Sequence, residues 1–258
     1  MSSISNLFNL TGKTALVTGA SGGLGEHFAR TLAAAGARTV LTARRTNLLE
    51  QIKHDVEAKG GTAFTAELDV TDRAQVEAIF NDKTNTIGPI DILINNAGIA
   101  VGQAAEQIGE TDWDRLMDTN LKGAWLMSQA FARSAIARNA GGVIVNVASI
   151  LGRRVAKGVA PYAASKAALE HLTRALALEW ARYGIRVNAI APGYFDTDMN
   201  RDFLNTDAGQ AMLKRIPQRR AGSPDELDGA LLLLAGDASS YMTGTTLVVD
   251  GGHLCSTL

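Results

Sequence analysis

Short apolar runs that do not alternate with polar residues recur along this chain, each followed by a helix-length stretch, and most of these units stop at glycine. Lys13–Thr18 leads into a stretch from Glu26 to Ala35 with helical spacing (Phe28, Leu32, Ala35), closed by Gly36. Arg38–Thr42 is followed by Asn47–Lys59, closed by Gly60 and Gly61. Ala63–Leu68 precedes a helix opened by Thr71 and Asp72 and expected to close near Gly88 and Pro89. Asp91–Asn95 then leads to a long helical tract from Trp113 to Arg138, and Val143–Val147 to a helix from Tyr162 to Arg182. Ile185–Ala191 ends at Pro192 and Gly193, Pro224–Ala235 is a last helix and Thr246–Val249 a last strand. Glycine just past a helix is a natural C-cap because it adopts the left-handed conformation without strain. Strands alternating with helices of ten residues or more pair in parallel through right-handed crossovers. Strands apolar on both sides are covered on both faces. The expected fold is α/β, a doubly wound parallel sheet of about seven strands with helices on both faces. No Pro/Ser-rich linker or composition shift divides the chain, so it reads as a single domain over residues 1–258.

Bulk properties exclude several function classes. With 46% hydrophobic and 20% charged residues, the 258-residue chain has the balance of a globular protein with a sizeable core. Twenty-five basic against 26 acidic residues leave a net charge of −1 with no polybasic run, which argues against nucleic acid or an anionic membrane as partner. The most apolar stretch, Ala230–Ala235, is far too short to span a bilayer, and the N-terminus lacks a secretory signature. The single cysteine, Cys255, has no partner for an internal disulfide, which fits a reducing cytoplasm, and no His or base pattern surrounds it. A cytoplasmic protein is expected, with no metal site.

The first strand stops at Thr18-Gly19-Ala20-Ser21-Gly22-Gly23-Leu24-Gly25, directly before the first helix. Glycines there let backbone N–H groups approach a pyrophosphate at the helix N-terminus, where the macrodipole favours negative charge. The spacing is G-x-x-x-G-x-G and lacks the GK[ST] ending of a triphosphate loop. At the first βα junction of a doubly wound, Rossmann-like sheet, this loop points to a dinucleotide site. An acidic residue at the end of the second strand would bond a ribose 2′-hydroxyl, but the segment reads Thr42-Ala43-Arg44-Arg45. Two guanidiniums suit a 2′-phosphate, so NADP(H) is favoured and NAD(H) stays open.

Tyr162 and Lys166 stand four residues apart, on one face of a helix. An ammonium beside a phenol favours phenolate and lowers the phenol's pKa. Bringing a tyrosine from about 10 to neutrality takes about 4 kcal/mol, and a second positive charge nearby would help one lysine to supply it. Ser149, at the end of an apolar run, could hydrogen-bond the same substrate oxygen.

Together, the glycine loop, the strand-end Asn95-Asn96-Ala97-Gly98 and the Ser149…Tyr162…Lys166 set resemble the classical short-chain dehydrogenase/reductase family from about Leu10 to Gly252. The resemblance implies a dinucleotide-binding part over about residues 10–150 and a catalytic and substrate part over about 149–258. It implies that Asn96, Ala97 and Gly98 line the adenosine ribose, with Asp69 and Val70 beside the adenine. Asn120, in Asp118-Thr119-Asn120, completes a tetrad with Ser149, Tyr162 and Lys166. Pro192, Gly193, Phe195 and Thr197 would face the nicotinamide, and Lys166 its ribose. The oxidised ring is then the second positive charge, Tyr162 the acid/base, and Asn120 the holder of a relay water. The family's NADP users often carry a basic residue where this chain has Gly22, whereas Ala43 stands where NAD users have Asp.

Residues 194–220 are expected as a substrate loop and lid, in which Tyr194, Phe195, Met199, Phe203 and Met212 mix with Asp196, Asp198 and Arg201. Val155–Val159 forms the opposite wall, with Arg153 and Arg154 either attracting an acidic substrate or facing solvent. The family implies a homotetramer (or homodimer) built through the long helices and the last strand. Three functions stay open: a reductase or dehydrogenase of a small ketone or sugar, a 3-oxoacyl-[acyl-carrier-protein] reductase, and a non-catalytic NADP(H)-sensing scaffold.

Overall fold

The computed structural model describes residues 4–81 and 87–255. Its centre is one parallel sheet of seven strands: β1 Thr14–Thr18, β2 Arg38–Ala43, β3 Thr62–Glu67, β4 Ile92–Asn95, β5 Gly142–Val147, β6 Ile185–Pro192 and β7 Thr246–Val249. Their order is β3-β2-β1-β4-β5-β6-β7, so the chain winds outward one way from β1 and then the other way from β4. Every pairing is parallel, with β1 in register between β2 and β4 (Leu16 opposite Val40 and Leu93). The single-domain doubly wound expectation holds.

Alternating residues of the apolar strands feed two cores. Ala15 and Val17 join Phe28, Leu32 and Leu49 on the face carrying α1 Gly23–Ala34, α2 Thr46–Ala58 and α9 Asp228–Ala235. Leu16 and Val40 join Val76, Met127 and Phe131 on the face carrying α3 Arg73–Asn81, α5 Ala124–Ala137 and α6 Ala160–Trp180. Each buried Leu or Phe contributes about 2–3 kcal/mol.

Three elements differ from expectation. The tract expected as one helix over Trp113–Arg138 is α4 Glu110–Met117, a π-helical turn Asp118–Gly123, and then α5. The wider turn swings Asn120 inward, and Gly123 lies so close to Val70 that a Cβ on it would meet Val70 Cγ2 at 2.6 Å. Hydrophobic spacing does not report one extra residue in a turn. The last helix opens as a 3₁₀ turn, Pro224–Leu227, under a capping box made by Ser223 and Glu226. The third helix is described to Asn81, and its expected run towards Gly88 crosses residues 82–86, outside the described residues.

Beyond β6 the chain leaves the sheet. Phe195 and Gly222 form an isolated parallel bridge, closed by Asp196 N–H to Gly222 O and Gly222 N–H to Tyr194 O, both 2.9 Å. The excursion between them, the stretch expected as a lid, carries two short helices, α7 Asp198–Leu204 and α8 Asp207–Leu213. The side chains at 198 and 199 lie outside the described residues.

Candidate active site

Where the winding reverses between β1 and β4, the strands' C-terminal ends open into a cleft of about 1480 Å³. In open α/β sheets this switch point is where ligands bind. At its floor the glycine loop is fastened to the end of β4. Thr18 Oγ1 accepts the N–H groups of Asn96 and Ala97 (3.0 Å each), while Asn96 Nδ2 donates to Thr18 O (3.0 Å) and Gly19 O (3.3 Å). Gly19 has φ +65°, and a Cβ there would meet Ala97 Cα at 2.9 Å. A Cβ on Gly25 would run into Gly19 O and Asn96 Nδ2, so α1 sits directly against the strand ends. Above the loop, by contrast, a Cβ on Gly23 would meet nothing within 4 Å and one on Gly22 only Arg45 Nη2 at 3.9 Å. Close packing below and open space above leave a cradle at a helix N-terminus that could hold a diphosphate.

The end of β2 supplies the charge. Arg45 Nη2 donates to Ser21 Oγ (3.0 Å), and the mostly exposed Arg44 guanidinium stands 3.9 Å from Asp69 Oδ2. Burial raises the Asp69 carboxyl, but hydrogen bonds from Thr71 N–H (2.9 Å) and Oγ1 (2.7 Å), with Arg44's charge, hold it below its usual value. Two guanidiniums and no carboxylate on β2 fit a 2′-phosphate at this edge.

At the other end, α6 presents Tyr162 and Lys166 opposite Ser149. Ser149 stands near enough to the Tyr162 hydroxyl to oppose the rise in its pKa. The fully buried Lys166 donates through Nζ to Val147 O at 2.7 Å and lies 5.5 Å from the Tyr162 ring centroid. Burial pulls its ammonium down to about 8. The expected lowering of the phenol is reversed here: burial pushes Tyr162 up, Ser149 opposes this, and Tyr194 adds to the rise. Desolvation of a phenolate outweighs a cation whose ammonium is engaged by a backbone carbonyl.

Most of the expected residues line this one cleft: Gly19, Ser21, Gly22, Gly23, Leu24, Arg44, Arg45, Asp69, Val70, Asn96, Ala97, Gly98, Ser149, Tyr162, Lys166, Pro192, Gly193, Phe195 and Thr197. Gly25 and Asn120 do not reach its surface. Gly25 is spent on packing, and Asn120 is buried with Oδ1 accepting Ile99 N–H (2.8 Å) and Nδ2 donating to Ile99 O (2.9 Å) and Ser165 Oγ (3.2 Å). Neither arginine of the opposite wall serves the cleft: Arg153 Nε donates to Glu170 Oε2 (2.8 Å) and Arg154 Nη1 to His253 O (2.7 Å). Lys157, three residues on, does line it. Sequence reasoning placed the wall at Val155–Val159 without singling out Lys157 in it, and missed Ser165 inside its own motif and the Val147 carbonyl, which no residue letter signals. Asn95 does not face the cleft. It donates to Asn146 Oδ1 (2.8 Å) and Ser128 Oγ (2.9 Å), tying the sheet centre together. Among the described residues no three His, Cys, Asp or Glu side chains gather as metal ligands would, and no helix is long and apolar enough to cross a membrane.

Residues 19–253 match the family model described as enoyl-(acyl carrier protein) reductase. The fold superimposes on a short-chain type dehydrogenase/reductase from Mycobacterium marinum with TM-score 0.93 and 40% identity, over 98% of this chain and 100% of that one. The chain belongs to the short-chain dehydrogenase/reductase family. As a member it is an oxidoreductase acting between CH–OH and C=O groups. Gluconate 5-dehydrogenase of Gluconobacter oxydans (strain 621H) is 42% identical over 248 residues, 96% of each chain. A gluconate 5-dehydrogenase from Burkholderia cenocepacia J2315, solved in complex with NADP and tartrate, aligns with TM-score 0.94 and 39% identity over 99% of this short-chain dehydrogenase/reductase and 100% of that chain.

Proposed function

We propose that this enzyme uses NADP(H) to interconvert a secondary hydroxyl and a carbonyl on a small polyhydroxy acid of the gluconate class. The observation that carries the reading is that Ser149, Tyr162 and buried Lys166 line the same cleft as the glycine loop and the Arg44–Arg45 edge. The 42% identical relative named for gluconate supports the substrate class, and the NADP-bound structural relative supports the cofactor. Gly19–Gly25 would hold the diphosphate, Arg44 and Arg45 the 2′-phosphate, Asp69 and Val70 the adenine side, and Pro192, Gly193, Phe195 and Thr197 the nicotinamide side. When bound, the nicotinamide supplies or accepts the hydride and, oxidised, adds positive charge beside the phenol.

In reduction, Tyr162, held protonated by burial, gives its proton to the carbonyl oxygen while Ser149 donates a hydrogen bond to the charge developing there. In oxidation the same phenol must first lose its proton, and Lys166 stabilises the phenolate. Asn120's amide is occupied by Ile99 and Ser165, so its backbone would hold a relay water. Lys157 would meet the substrate carboxylate, since the other two cations of its loop are turned away. The exposed α6 residues Ala164, Ala167, His171 and Leu178 would pair subunits in a homotetramer.

The test is a panel of keto sugar acids, polyols and 3-oxoacyl thioesters, followed by NADPH absorbance. Keto sugar acids are expected to turn over fastest. Faster thioester reduction, or an efficiency with NADH equal to that with NADPH, would overturn the assignment. Lys157→Ala should raise KM for the acid about 5–10-fold, the worth of one exposed ion pair and its hydrogen bond, and leave kcat within about twofold.

A further inference from the structure

The loop after β5 brings Ser149 to Tyr162, and its attachment to α6 is unusually exacting. Ser149 starts a single 3₁₀ turn, Ile150–Gly152, whose N-terminus its own Oγ caps by accepting Leu151 N–H at 3.1 Å. The turn rests on α6 with no side chain between, since a Cβ on Gly152 would meet Ala167 N and Lys166 C at 2.9 Å. The next residue, Arg153, donates through Nε to Glu170 Oε2 at 2.8 Å, and the Glu170 side chain is only 6% exposed. Glu170 lies four residues beyond Lys166 and eight beyond Tyr162, on the same helical face. Its other oxygen, Oε1, is buried with no hydrogen-bond partner among the described residues.

Stability alone does not account for this pair. Burying a carboxylate costs several kcal/mol, which the partner's attraction roughly offsets, and an apolar pair of the same volume would hold the loop as well or better. A charge-assisted hydrogen bond differs in fixing direction and distance. We propose that Glu170 is a positioning residue. Through Arg153 it holds the Ser149 turn on the helix that carries Tyr162 and Lys166, so that one helix face sets the distance between the two hydroxyls. The inference rests on Ser149 and Tyr162 acting together as proposed above.

The test compares Glu170→Ala, Glu170→Gln, Arg153→Ala and the Glu170→Ala/Arg153→Ala double variant, with Ser149→Ala as reference, on the fastest substrate of the panel. Glu170→Ala and Arg153→Ala should each lower kcat on the order of tenfold, the scale of a sub-ångström misplacement, with KM for NADPH within about twofold. The double variant should fall no further than the worse single, because both break one link. Glu170→Gln still accepts from Arg153 and should recover at least about half of kcat. Amide exchange over residues 148–154 should quicken in both alanine variants and not in Glu170→Gln. Wild-type kcat in both alanine variants, additive losses, or unchanged exchange over 148–154 would each overturn the proposal. Should Glu170→Ala not fold, Arg153→Ala carries the test, because that side chain is already 38% exposed. If Ser149→Ala itself keeps wild-type kcat, the role proposed for Ser149 fails, and the exchange data still decide the clamp.

Discussion

Lys166 is the residue at which burial and function pull hardest against each other. Its folded pKa of about 8 lies below the ordinary 10.5, so between those values the unfolded chain holds a proton that the folded enzyme has lost. Stability from this group therefore rises with pH across that window, and below it the full cost of the buried charge, about 3 kcal/mol, is present. Lys166→Met removes that cost and gives up one hydrogen bond to Val147 O, leaving a net gain of about 1–2 kcal/mol. At pH 7 the variant should melt a few degrees above wild type while its turnover falls at least about 100-fold, and the melting advantage should vanish near pH 10. A variant that melts well below wild type at pH 7 would show that the ammonium stabilises the fold. Tyr162 gives a complementary signature. With its phenol held above the ordinary range, alcohol-oxidation efficiency should climb from pH 6 to about 8, where Lys166 begins to lose its charge, while carbonyl reduction stays flat over that range. At this scale the sequence was informative about identities and poor about environments. The four-residue spacing of Tyr162 and Lys166 was legible, whereas the direction of the phenol's shift depends on desolvation that only the packed structure reveals. The fates of Arg153 and Arg154 depended equally on which carboxylate and which carbonyl the loop happened to pass.

Strands and helices were legible wherever apolar spacing and a glycine stop agreed, as at β1, α1 and α6. They were not where the backbone changes pitch, as in the π turn around Asn120, because one added residue leaves composition and approximate period intact. Glycines make the same contrast at element scale. In α1, Gly25 is pressed against backbone atoms of Gly19, which cannot yield without moving the whole loop. Gly25→Ala should cut cofactor affinity at least about tenfold and cost about 2 kcal/mol, read by titration and urea melts. In α9, a Cβ on exposed Gly229 would meet nothing within 4 Å. Gly229→Ala should therefore stabilise by about 0.5–1 kcal/mol, with activity unchanged. Equal effects in the two variants would contradict the close approach at Gly25.

Over the whole molecule, the sheet order was legible because right-handed crossovers leave few ways to wind seven parallel strands. The cleft's position followed from the reversal between β1 and β4. The cofactor's grip on the whole fold is measurable as a melting shift. At 100 times its dissociation constant a ligand adds about 2.7 kcal/mol, or about 5–10 °C for a chain of this size. NADPH should produce that shift and NADH at equal concentration a smaller one. Equal shifts would mean that Arg44 and Arg45 do not read a 2′-phosphate. The bridge between Phe195 and Gly222 bears on descent rather than chemistry. It pins the two ends of the helical excursion to each other, so the helices between them take part in no strand pairing of the sheet. A lineage built on this scaffold can therefore trade the roof of its pocket while inheriting the phosphate cradle unchanged, and substrate range and coenzyme range are free to evolve on separate schedules.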